Sequence, residues 1–376
     1  MVSIIRVLLS GGGTGGHINP ALSIAKKIKE MRPDSEIAFV GTPGGMENKL
    51  VPKAGFPLYH IEVMGFQRKL SAENIRKNVR AAYLAVESVH KAKRIVREYK
   101  PDIVIGTGGY VSWPVLKAAA SLKIPTLIHE QNAVPGVTTK KLSHYVDRVM
   151  ISFEDSRRYF DCPDEKLVLS GNPLDPALNT LDYEKSRQEL GIDRPYILSF
   201  GGSLGARELN KAVYAVIKDY SSENNVIHHH AFGSREWPKY EEKSERDGLD
   251  KCENIKLFEY IYDMSLRESA ADLVICRAGA MTLSELAVIG KAAIFIPSPN
   301  VANNHQYKNA LVYKKAGAAE LIEEKDLTPE RLIATVRELI EDSGRREKMA
   351  AEAKKLALGN ADGVIYGEIE KLLENR

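Results

Sequence analysis

The sequence predicts an α/β protein made of two Rossmann-like domains, each with a parallel β-sheet covered by helices. Short runs rich in valine and isoleucine alternate with longer amphipathic stretches, which is the pattern of βαβ units. The chain has 376 residues, more than a single hydrophobic core usually organises. Because strand, glycine loop and helix follow one another once in each half, we expect two similar domains facing one another across a cleft.

The individual elements follow from the apolar runs and their spacing. In the first half, strands are predicted at Ile4–Ser10, Ile37–Val40, Ile103–Thr107, Thr126–His129 and Arg148–Ile151, with helices around Ala21–Met31, Val79–Tyr99 and Val115–Ser121. In the second half, strands are predicted at Tyr196–Phe200, Val226–Ala231, Leu273–Cys276 and Ala293–Pro297. The turn Gly171-Asn172-Pro173 predicts a boundary between domains 1–172 and 173–357. The periodicity of residues 358–376 predicts a helix but does not show to which domain it belongs. The helix could pack back on the first domain.

Composition and charge exclude several classes of protein. Hydrophobic residues make up 44% of the chain and charged residues 27%, as in ordinary globular proteins. The net charge of +3 is too small to favour nucleic-acid binding. The three cysteines are far apart and form no C-x-x-C, so they indicate neither a disulfide framework nor a zinc site. Because no segment approaches the roughly 20 apolar residues of a spanning helix, and Ile4–Leu9 is too short for a signal peptide, we expect a cytoplasmic protein.

Three glycine-rich turns follow predicted strands and are the first candidates for a binding site. They are Gly11–Gly16, Gly106–Tyr110 and Gly201–Gly205. Glycine lets backbone N–H groups approach an anion closely, and the N-terminus of a following helix adds a favourable dipole. Each turn alone is equally well explained as a tight strand-to-helix connection. Together they predict two ligands that carry diphosphates, one for each domain.

The spacing Gly11-x-Gly13-x-x-Gly16 also satisfies the dinucleotide fingerprint, so an NAD(P)-dependent oxidoreductase is an alternative. A nicotinamide site needs an acidic residue at the end of the second strand, where it binds the ribose. Here that strand ends in Gly41-Thr42, and Glu36 stands at its opposite end. The oxidoreductase is therefore disfavoured, and no cofactor is expected.

Seven short motifs resemble the MurG family of UDP-N-acetylglucosamine:undecaprenyl-diphospho-muramoylpentapeptide N-acetylglucosaminyltransferases, and they span nearly the whole chain. The motifs are GGGTGGH at Gly11–His17, GGYV at Gly108–Val111, HEQN at His129–Asn132, GNP at Gly171–Pro173, GGSLGAR at Gly201–Arg207, CRAGAMTLSE at Cys276–Glu285 and HQYKN at His305–Asn309. The resemblance implies the two-domain GT-B architecture and an inverting transfer that forms a β-1,4 link. A UDP-sugar epimerase of the same architecture is the second hypothesis, against which GGYV and HEQN argue. A non-catalytic nucleotide sensor is a further alternative.

The resemblance implies that the second domain binds the donor, UDP-N-acetylglucosamine. Glu285 would accept hydrogen bonds from the ribose hydroxyls, and Ile261 would contact uracil through its backbone. The diphosphate would lie against the Ser203 loop and the start of the next helix, and the sugar against His305 and Gln306. The full set of matching donor positions is Ser203, Arg207, Ile261, Arg277, Ala280, Met281, Thr282, Glu285, His305 and Gln306. Some family members carry a base-contacting arginine after GNP, where this chain has Leu174-Asp175.

The resemblance implies that the first domain binds the lipid-linked acceptor. The matching positions are Gly13, Thr14, Gly15, Gly16, His17, Gly109, Tyr110, Glu130 and Asn132. The acceptor hydroxyl must lose a proton as it attacks the anomeric carbon, and an imidazole or a carboxylate suits that step. His17 and Glu130 are therefore the two candidates for the catalytic base, and residue type alone does not decide between them.

No metal ion is expected from the sequence. The chain contains no D-x-D tripeptide and no clustered spacing of metal ligands. Loop amides, helix N-termini and Arg277 would instead stabilise the charge that grows on the departing UDP. His228-His229-His230 is a weak metal candidate, because consecutive residues of a strand point to opposite faces of the sheet.

The segment 66–100 carries an excess of positive charge. It holds ten basic residues, including Arg68, Lys69, Arg76, Lys77, Arg80, Lys91, Lys93, Arg94 and Arg97, against three acidic ones. The apolar residues Ile75, Val79, Tyr83 and Leu84 fall near one helical stripe, which burial against the sheet explains equally well. An anionic membrane attracts clustered basic residues by roughly 1 kcal/mol each. With a lipid-linked acceptor, this predicts peripheral binding to the cytoplasmic face of the cell membrane; no protein partner is indicated.

Overall fold

The computed structural model describes residues 4–64 and 72–375, and the side chains of 72–83, 85 and 176 lie outside that description. The chain forms two compact units, Met1–Leu174 with Leu358–Arg376, and Asp175–Ala357. Each unit contains one sheet whose described strand pairs are all parallel. The prediction of two Rossmann-like parallel-sheet domains is therefore confirmed.

The sheet of unit 1 has seven strands in the order β3-β2-β1-β4-β5-β6-β7. These are β1 Arg6–Gly11, β2 Glu36–Gly41, β3 Leu58–His60, β4 Ile103–Gly108, β5 Thr126–Glu130, β6 Arg148–Ile151 and β7 Leu167–Leu169. The order reverses between β1 and β4, so the loops that follow these two strands lie side by side at the carboxyl edge.

The helices of unit 1 cover both faces of its sheet. They are α1 Gly15–Met31, α2 Glu47–Lys53, α3 Ala72–Tyr99, α4 Ser112–Ser121 and α5 Val137–Leu142. Helix α1 starts six residues before its predicted start, because the glycines ahead of Pro20 are already helical. The prediction stopped at Pro20 because an interior proline removes a backbone hydrogen bond.

The last helix of the chain, Ala361–Glu374, also belongs to unit 1. Its residues Ile365 and Ile369 are buried in the core that includes Ile24 and Ile28 of α1. Two ion pairs add to this packing, since Arg32 pairs with Glu370 and Arg148 pairs with Glu368 at 2.8 Å.

Unit 2 repeats the same strand arrangement with six strands, in the order β10-β9-β8-β11-β12-β13. The strands are β8 Tyr196–Phe200, β9 Ile227–Ala231, β10 Ile255–Phe258, β11 Leu273–Cys276, β12 Ala293–Phe295 and β13 Ala319–Leu321. The helices are α6 Tyr183–Leu190, α7 Arg207–Ser221, α8 Trp237–Arg246, α9 Met264–Ala270, α10 Ala280–Ile289, α11 His305–Lys315, α12 Pro329–Glu341 and α13 Ser343–Lys355, so the helix Ala361–Glu374 is α14. Strands β3, β7, β10 and β13 are not among the predicted strands, because edge strands of three or four residues are too short to show a period.

Part of the predicted basic segment lies outside the described residues. Arg68 and Lys69 are among the undescribed residues, and so are the side chains of Ile75, Arg76, Lys77, Val79, Arg80 and Tyr83. In the described part of α3, Leu84 is buried, Lys91 pairs with Glu87 and Arg94 pairs with Glu98. Over the ranges 4–64 and 72–375, no helix combines the length and the apolar character needed to cross a membrane.

Candidate functional site

The first glycine loop joins β1 to α1 and carries a buried carboxylate beneath its tip. The amide of Gly13 donates to Oε2 of Glu47 at 3.1 Å. A Cβ placed on Gly12 would come within 2.7 Å of Oε1 of the same side chain, which is fully buried. The Gly13 amide, which the sequence suggested for an external anion, is thus engaged inside the protein.

The turn that follows β4 packs directly on this first loop. A Cβ on Gly108 would come within 2.7 Å of the His17 ring, and one on Gly109 within 2.5 Å of the Gly12 carbonyl oxygen. Thr107 Oγ1 donates to the His17 backbone carbonyl at 2.6 Å. Only glycine fits both positions, which also have positive φ values, so the two glycine turns of unit 1 form one surface.

His17 lies in the first turn of α1, half-buried between these two turns. Its Nδ1 is 3.2 Å from the Gly12 carbonyl oxygen and 3.4 Å from Thr14 Oγ1. A carbonyl oxygen can only accept, so Nδ1 carries the hydrogen and the neutral ring accepts protons at Nε2.

Glu130, the second candidate base, lies at the end of β5 and is buried. Its Oε1 accepts from the backbone and the side-chain amide of Asn132, both at 3.1 Å, and its Oε2 accepts from the Gly136 amide at 3.0 Å. Both carboxylate oxygens therefore hold the turn that leads into α5. Tyr110, by contrast, is 62% exposed next to the glycine surface.

The HEQN and GNP motifs form a buried network that sequence reasoning did not find. His129 donates from Nε2 to the Gly171 carbonyl at 2.9 Å, and its Nδ1 accepts from Gln131 at 2.9 Å. Gln131 also donates to the Thr107 carbonyl at 2.9 Å, and Asn172 donates to the Gln131 carbonyl at 3.2 Å. Burial lowers the pKa of His129 to about 4, so the ring stays neutral. These residues join the ends of neighbouring strands.

Unit 2 contains a cavity of about 570 Å³ at the carboxyl edge of its sheet, a volume typical of small-ligand sites. Four of the predicted donor residues line it, namely Arg207, Arg277, Thr282 and Gln306. The remaining lining residues are Phe200, Gly201, Gly202, Gly205, Ala206, Glu208, Gly279, Ser298, Asn300, Val301 and Glu324. Ser203 lies between lining glycines, Ala280 and Met281 precede Thr282 in α10, and His305 precedes Gln306 in α11.

The glycine loop of unit 2 is held by the turn after β9. The Gly205 amide donates to the Gly202 carbonyl at 2.9 Å, and the Ser203 carbonyl accepts from the Ser234 amide at 3.1 Å. A Cβ on Gly205 would collide with the Phe232 carbonyl oxygen. The loop is therefore fixed, with the exposed Ser203 at its tip beside the cavity.

Arg277 is held in the cavity wall by a partner that sequence reasoning missed. Its guanidinium pairs with the Glu324 carboxylate and donates to the Ile296 carbonyl at 3.0 Å. Glu324 lies far along the chain in a short 3₁₀ segment, so no local signal linked the two residues. The positive charge of Arg277 in the cavity is thus neutralised by the negative charge of Glu324, which also lines the cavity.

Glu285 lies one turn after Thr282 in α10, the helix that begins at Ala280. The carboxyl group is largely surrounded by protein, and this burial raises its pKa to about 7, with the nearby Asp175 adding to the effect. Asp175 stands where some relatives carry arginine, and its side chain accepts from the Ala177 amide at 3.0 Å. Burial also raises the pKa of the fully buried Glu268 well above its ordinary value, and the charge of Glu285 adds to this effect.

Ile261, His305 and Gln306 complete the predicted donor set. Ile261 is buried in the loop after β10. Its sequence neighbours Tyr260 and Tyr262 are exposed, and their rings contact each other. His305 donates from Nδ1 to the Ala302 carbonyl at 2.8 Å. The side-chain carbonyl of Gln306 accepts from the Ser298 amide at 2.8 Å, which fixes the orientation of the Gln306 side chain.

The three consecutive histidines lie on β9 and alternate between the two faces of the sheet. Nε2 of His228 and Nδ1 of His230 both lie 2.7 Å from Ser199 Oγ, whereas His229 accepts from Arg267 at 2.7 Å. In the described part of the chain, no three histidine, cysteine or acidic residues are grouped as metal ligands. The histidines therefore form part of the core of unit 2.

Comparison with known proteins relates both units to one family. Residues 7–151 match the glycosyltransferase family 28 N-terminal domain, and residues 196–362 match its C-terminal domain. The chain is 44% identical over 374 residues to the UDP-N-acetylglucosamine–N-acetylmuramyl-(pentapeptide) pyrophosphoryl-undecaprenol N-acetylglucosamine transferase of Acetivibrio thermocellus, with 99% of each chain covered. A Bacillus cereus protein with the same name, numbered 1, is 41% identical over 372 residues, which cover 98% of this chain and 100% of that one.

Solved structures agree with this relationship. The crystal structure of Acinetobacter baumannii MurG superimposes with a TM-score of 0.76 at 32% identity, covering 98% of this chain and 99% of that one. A UDP co-structure of S. aureus MnaA superimposes with a TM-score of 0.71 at 14% identity, over 99% and 97% of the two chains. At that identity the second similarity concerns the fold alone.

Proposed function

The chain belongs to glycosyltransferase family 28, and on that premise we propose that it transfers N-acetylglucosamine from UDP-N-acetylglucosamine to undecaprenyl-diphospho-muramoylpentapeptide. The observation that carries the proposal is the identity of 41–44%, over nearly the full chain, to enzymes named for this transfer. The muramoyl C4 hydroxyl attacks the anomeric carbon with inversion, a β-1,4 link forms, and UDP leaves. The lipid-linked disaccharide that results is the precursor for peptidoglycan synthesis.

The cavity of unit 2 supports donor binding there. The amides of the Ser203 loop and of the first turn of α10 face the negative diphosphate, with Arg207 and Arg277 as nearby cations. Glu285 accepts from the ribose hydroxyls. The other donor contacts in this proposal are the Ile261 backbone to uracil, Ala280, Met281 and Thr282 to the diphosphate, and His305 and Gln306 to the sugar.

His17 is proposed as the catalytic base in preference to Glu130. The Gly12 carbonyl selects the His17 tautomer that accepts at Nε2, whereas both oxygens of Glu130 already accept internal hydrogen bonds. In this step Nε2 takes the hydroxyl proton as the new C–O bond forms and the bond to UDP breaks. The acceptor is proposed to lie against the glycine surface of unit 1, formed by Gly13, Thr14, Gly15, Gly16 and Gly109 together with Tyr110 and Asn132.

Peripheral binding to an anionic membrane, on its cytoplasmic face, is the second part of the proposal. Its support is the excess of basic residues in 66–100 together with the lipid-linked acceptor. The described part of that segment includes exposed Arg94 and Arg97 on α3.

The test is UDP release from UDP-N-acetylglucosamine, measured with and without the lipid-linked muramoylpentapeptide in vesicles. We expect release that depends on the acceptor and produces a disaccharide. Conversion of the donor without acceptor would indicate an epimerase, and binding without turnover would indicate a sensor. The protein should cosediment with the same vesicles at low salt only when they contain anionic lipid. Equal binding to anionic and neutral vesicles, or no binding to either, would reject the membrane proposal.

Replacing Glu285 with glutamine should weaken UDP-N-acetylglucosamine binding by roughly 10–100-fold, because hydrogen bonds to a charged acceptor contribute about 1.5–3 kcal/mol. The ionised carboxylate is the better acceptor for a diol, and its pKa in the free protein is about 7. Donor affinity in the wild type should therefore rise as pH increases through 7, and the variant should lose this dependence. Calorimetric titration between about pH 6 and 8 measures both effects.

Asp175→Asn is the matched control for Glu285→Gln. Asparagine can still accept from the Ala177 amide, but it removes the negative charge that helps to raise the pKa of Glu285. The midpoint of the pH dependence should move to lower pH while binding at high pH stays near the wild-type value. A glutamine variant that binds the donor as the wild type does would remove Glu285 from the ribose site.

A further inference from the structure

Glu47 is a fully buried carboxylate that sequence reasoning did not single out. It lies at the start of α2, where Oε1 accepts from the Thr42 amide at 2.8 Å and from Thr42 Oγ1 at 2.7 Å. Oε2 accepts from the Gly13 amide at 3.1 Å. Burial alone raises the pKa of Glu47, but these hydrogen bonds outweigh it and bring the pKa below its ordinary value. The group is therefore an internal anion at neutral pH.

The space around this carboxylate is shaped by glycines from two loops. A Cβ on Gly12 would come within 2.7 Å of Oε1, a Cβ on Gly41 would come within 2.5 Å of the Glu47 side chain, and one on Gly45 would collide with Oε2. The β1–α1 loop and the β2–α2 turn thus close on one side chain. A buried charge is tolerated only where such donors compensate it, so its position is tightly defined.

The loop that Glu47 holds is also the loop that orients His17. Glu47 accepts a hydrogen bond from the Gly13 amide, and this amide belongs to the same planar peptide group as the Gly12 carbonyl. The orientation of that carbonyl is therefore fixed as well, and it accepts from His17 Nδ1 at 3.2 Å. On the opposite side, the Gly12 carbonyl is packed against Gly109. Displacing the Gly13 amide would therefore rotate or shift the carbonyl that determines the His17 tautomer.

We propose that Glu47 is a positioning residue, whose carboxylate fixes the Gly12–Gly13 peptide so that the Gly12 carbonyl holds His17 with its proton-accepting nitrogen at Nε2. This inference rests on the proposed function, in which His17 takes the acceptor proton. Glu47 itself contacts neither substrate, because it is fully buried beneath the loop. It acts through main-chain geometry.

Glu47→Gln tests the proposal because it keeps the shape but places an N–H₂ group against an N–H donor. We expect kcat to fall roughly 10–100-fold, as for a misplaced catalytic group, while KM for UDP-N-acetylglucosamine stays within about twofold. In a His17→Asn background, the same change should have no further effect on kcat. NMR of the histidine ring nitrogens should show His17 protonated at Nδ1 in the wild type and a mixture of tautomers in the variant.

Two further variants control for general destabilisation. Glu62→Gln removes an exposed acid of unit 1 and should leave kcat and the tautomer unchanged. Thr42→Val removes one donor to Glu47 and should show the same effects more weakly, which keeps the test available if Glu47→Gln does not fold. Equal loss of kcat with and without His17, or an unchanged tautomer, would overturn the inference. If the wild type shows no acceptor-dependent UDP release, the proposed function is rejected instead. The NMR measurement would still show whether Glu47 determines the tautomer of His17.

Discussion

Replacing His17 with asparagine should lower kcat by roughly 100–10,000-fold, the range that a positioned general base contributes. Asparagine can keep the hydrogen bond from its side-chain amide to the Gly12 carbonyl, so the loop stays in place while the proton acceptor at Nε2 is lost. KM for UDP-N-acetylglucosamine should change little, because the donor is proposed to bind in the other unit. Steady-state kinetics with both substrates, and the pH dependence of kcat, measure the effect.

Glu130→Gln is the comparison that separates the two candidate bases. Glutamine retains one acceptor but turns an N–H₂ group toward either the Asn132 or the Gly136 amide, so the turn before α5 should lose stability. Thermal unfolding should show this loss, and the fall in kcat should be smaller than for His17→Asn. The opposite ranking, with Glu130→Gln stable but inactive and His17→Asn active, would assign the base to Glu130.

The fold was predictable because its signals are local. Each central strand, such as β8 or β11, is a short apolar run bounded by turn residues, and the glycine loops follow β1, β4 and β8 directly. Alternation along β9 correctly placed His228 and His230 on one face. Short edge strands escaped detection because three or four half-exposed residues carry no period.

The interactions that shape the two candidate sites were not predictable from local patterns. Glu47 meets Gly13 from 34 residues away, and Glu324 meets Arg277 from 47 residues away. Neither acid lies in a motif of its own, and each was indistinguishable from a surface residue. The pKa of Glu285 is also raised by the charge of Asp175, which lies 110 residues away in sequence. Motifs therefore located the candidate residues, but tertiary packing determines their hydrogen bonds and charges.

The histidine triplet on β9 should contribute a loss of stability to unit 2 as pH falls. Burial lowers the pKa of His228 and of His229 to about 3, and it lowers the pKa of His230 well below its ordinary value. Unfolding returns each ring to a pKa near 6.5, so the unfolded state binds protons below that pH and the folded state does not. The histidine contribution to stability is therefore constant above about pH 7 and is lost as pH falls from 6.5 toward 3. Below the unfolded pKa of about 6.5 each histidine contributes a loss of about 1.4 kcal/mol per pH unit. Between pH 7.5 and 5.5 this amounts to about 1.4 kcal/mol for each histidine and about 4 kcal/mol for all three.

Hydrogen bonding strengthens this argument, because protonation would remove contacts that the folded state uses. His229 accepts from the Arg267 guanidinium, which cannot donate to a protonated nitrogen. Among the described residues, neither Nδ1 of His228 nor Nε2 of His230 has a hydrogen-bond partner, so an added proton would be buried without an acceptor. Protonation is therefore expected to accompany unfolding.

The two tryptophans of the chain allow each unit to be followed separately, since Trp113 lies in α4 of unit 1 and Trp237 in α8 of unit 2. Urea unfolding of Trp113→Phe reports unit 2, in which the raised pKa values of Glu285 and Glu268 favour the folded state as pH falls and oppose the histidine contribution of about 4 kcal/mol between pH 7.5 and 5.5. Unfolding of Trp237→Phe reports unit 1, in which the buried His129 contributes a loss of about 1.4 kcal/mol over the same pH range. His230→Asn keeps a group that can bond Ser199 but does not titrate, so in the Trp113→Phe background it should remove about 1.4 kcal/mol of the histidine loss between pH 7.5 and 5.5. His144→Gln, on the exposed surface of unit 1, should leave the pH dependence of unit 2 unchanged. An unchanged pH dependence of unit 2 in His230→Asn would contradict the prediction that His230 stays neutral in the folded state.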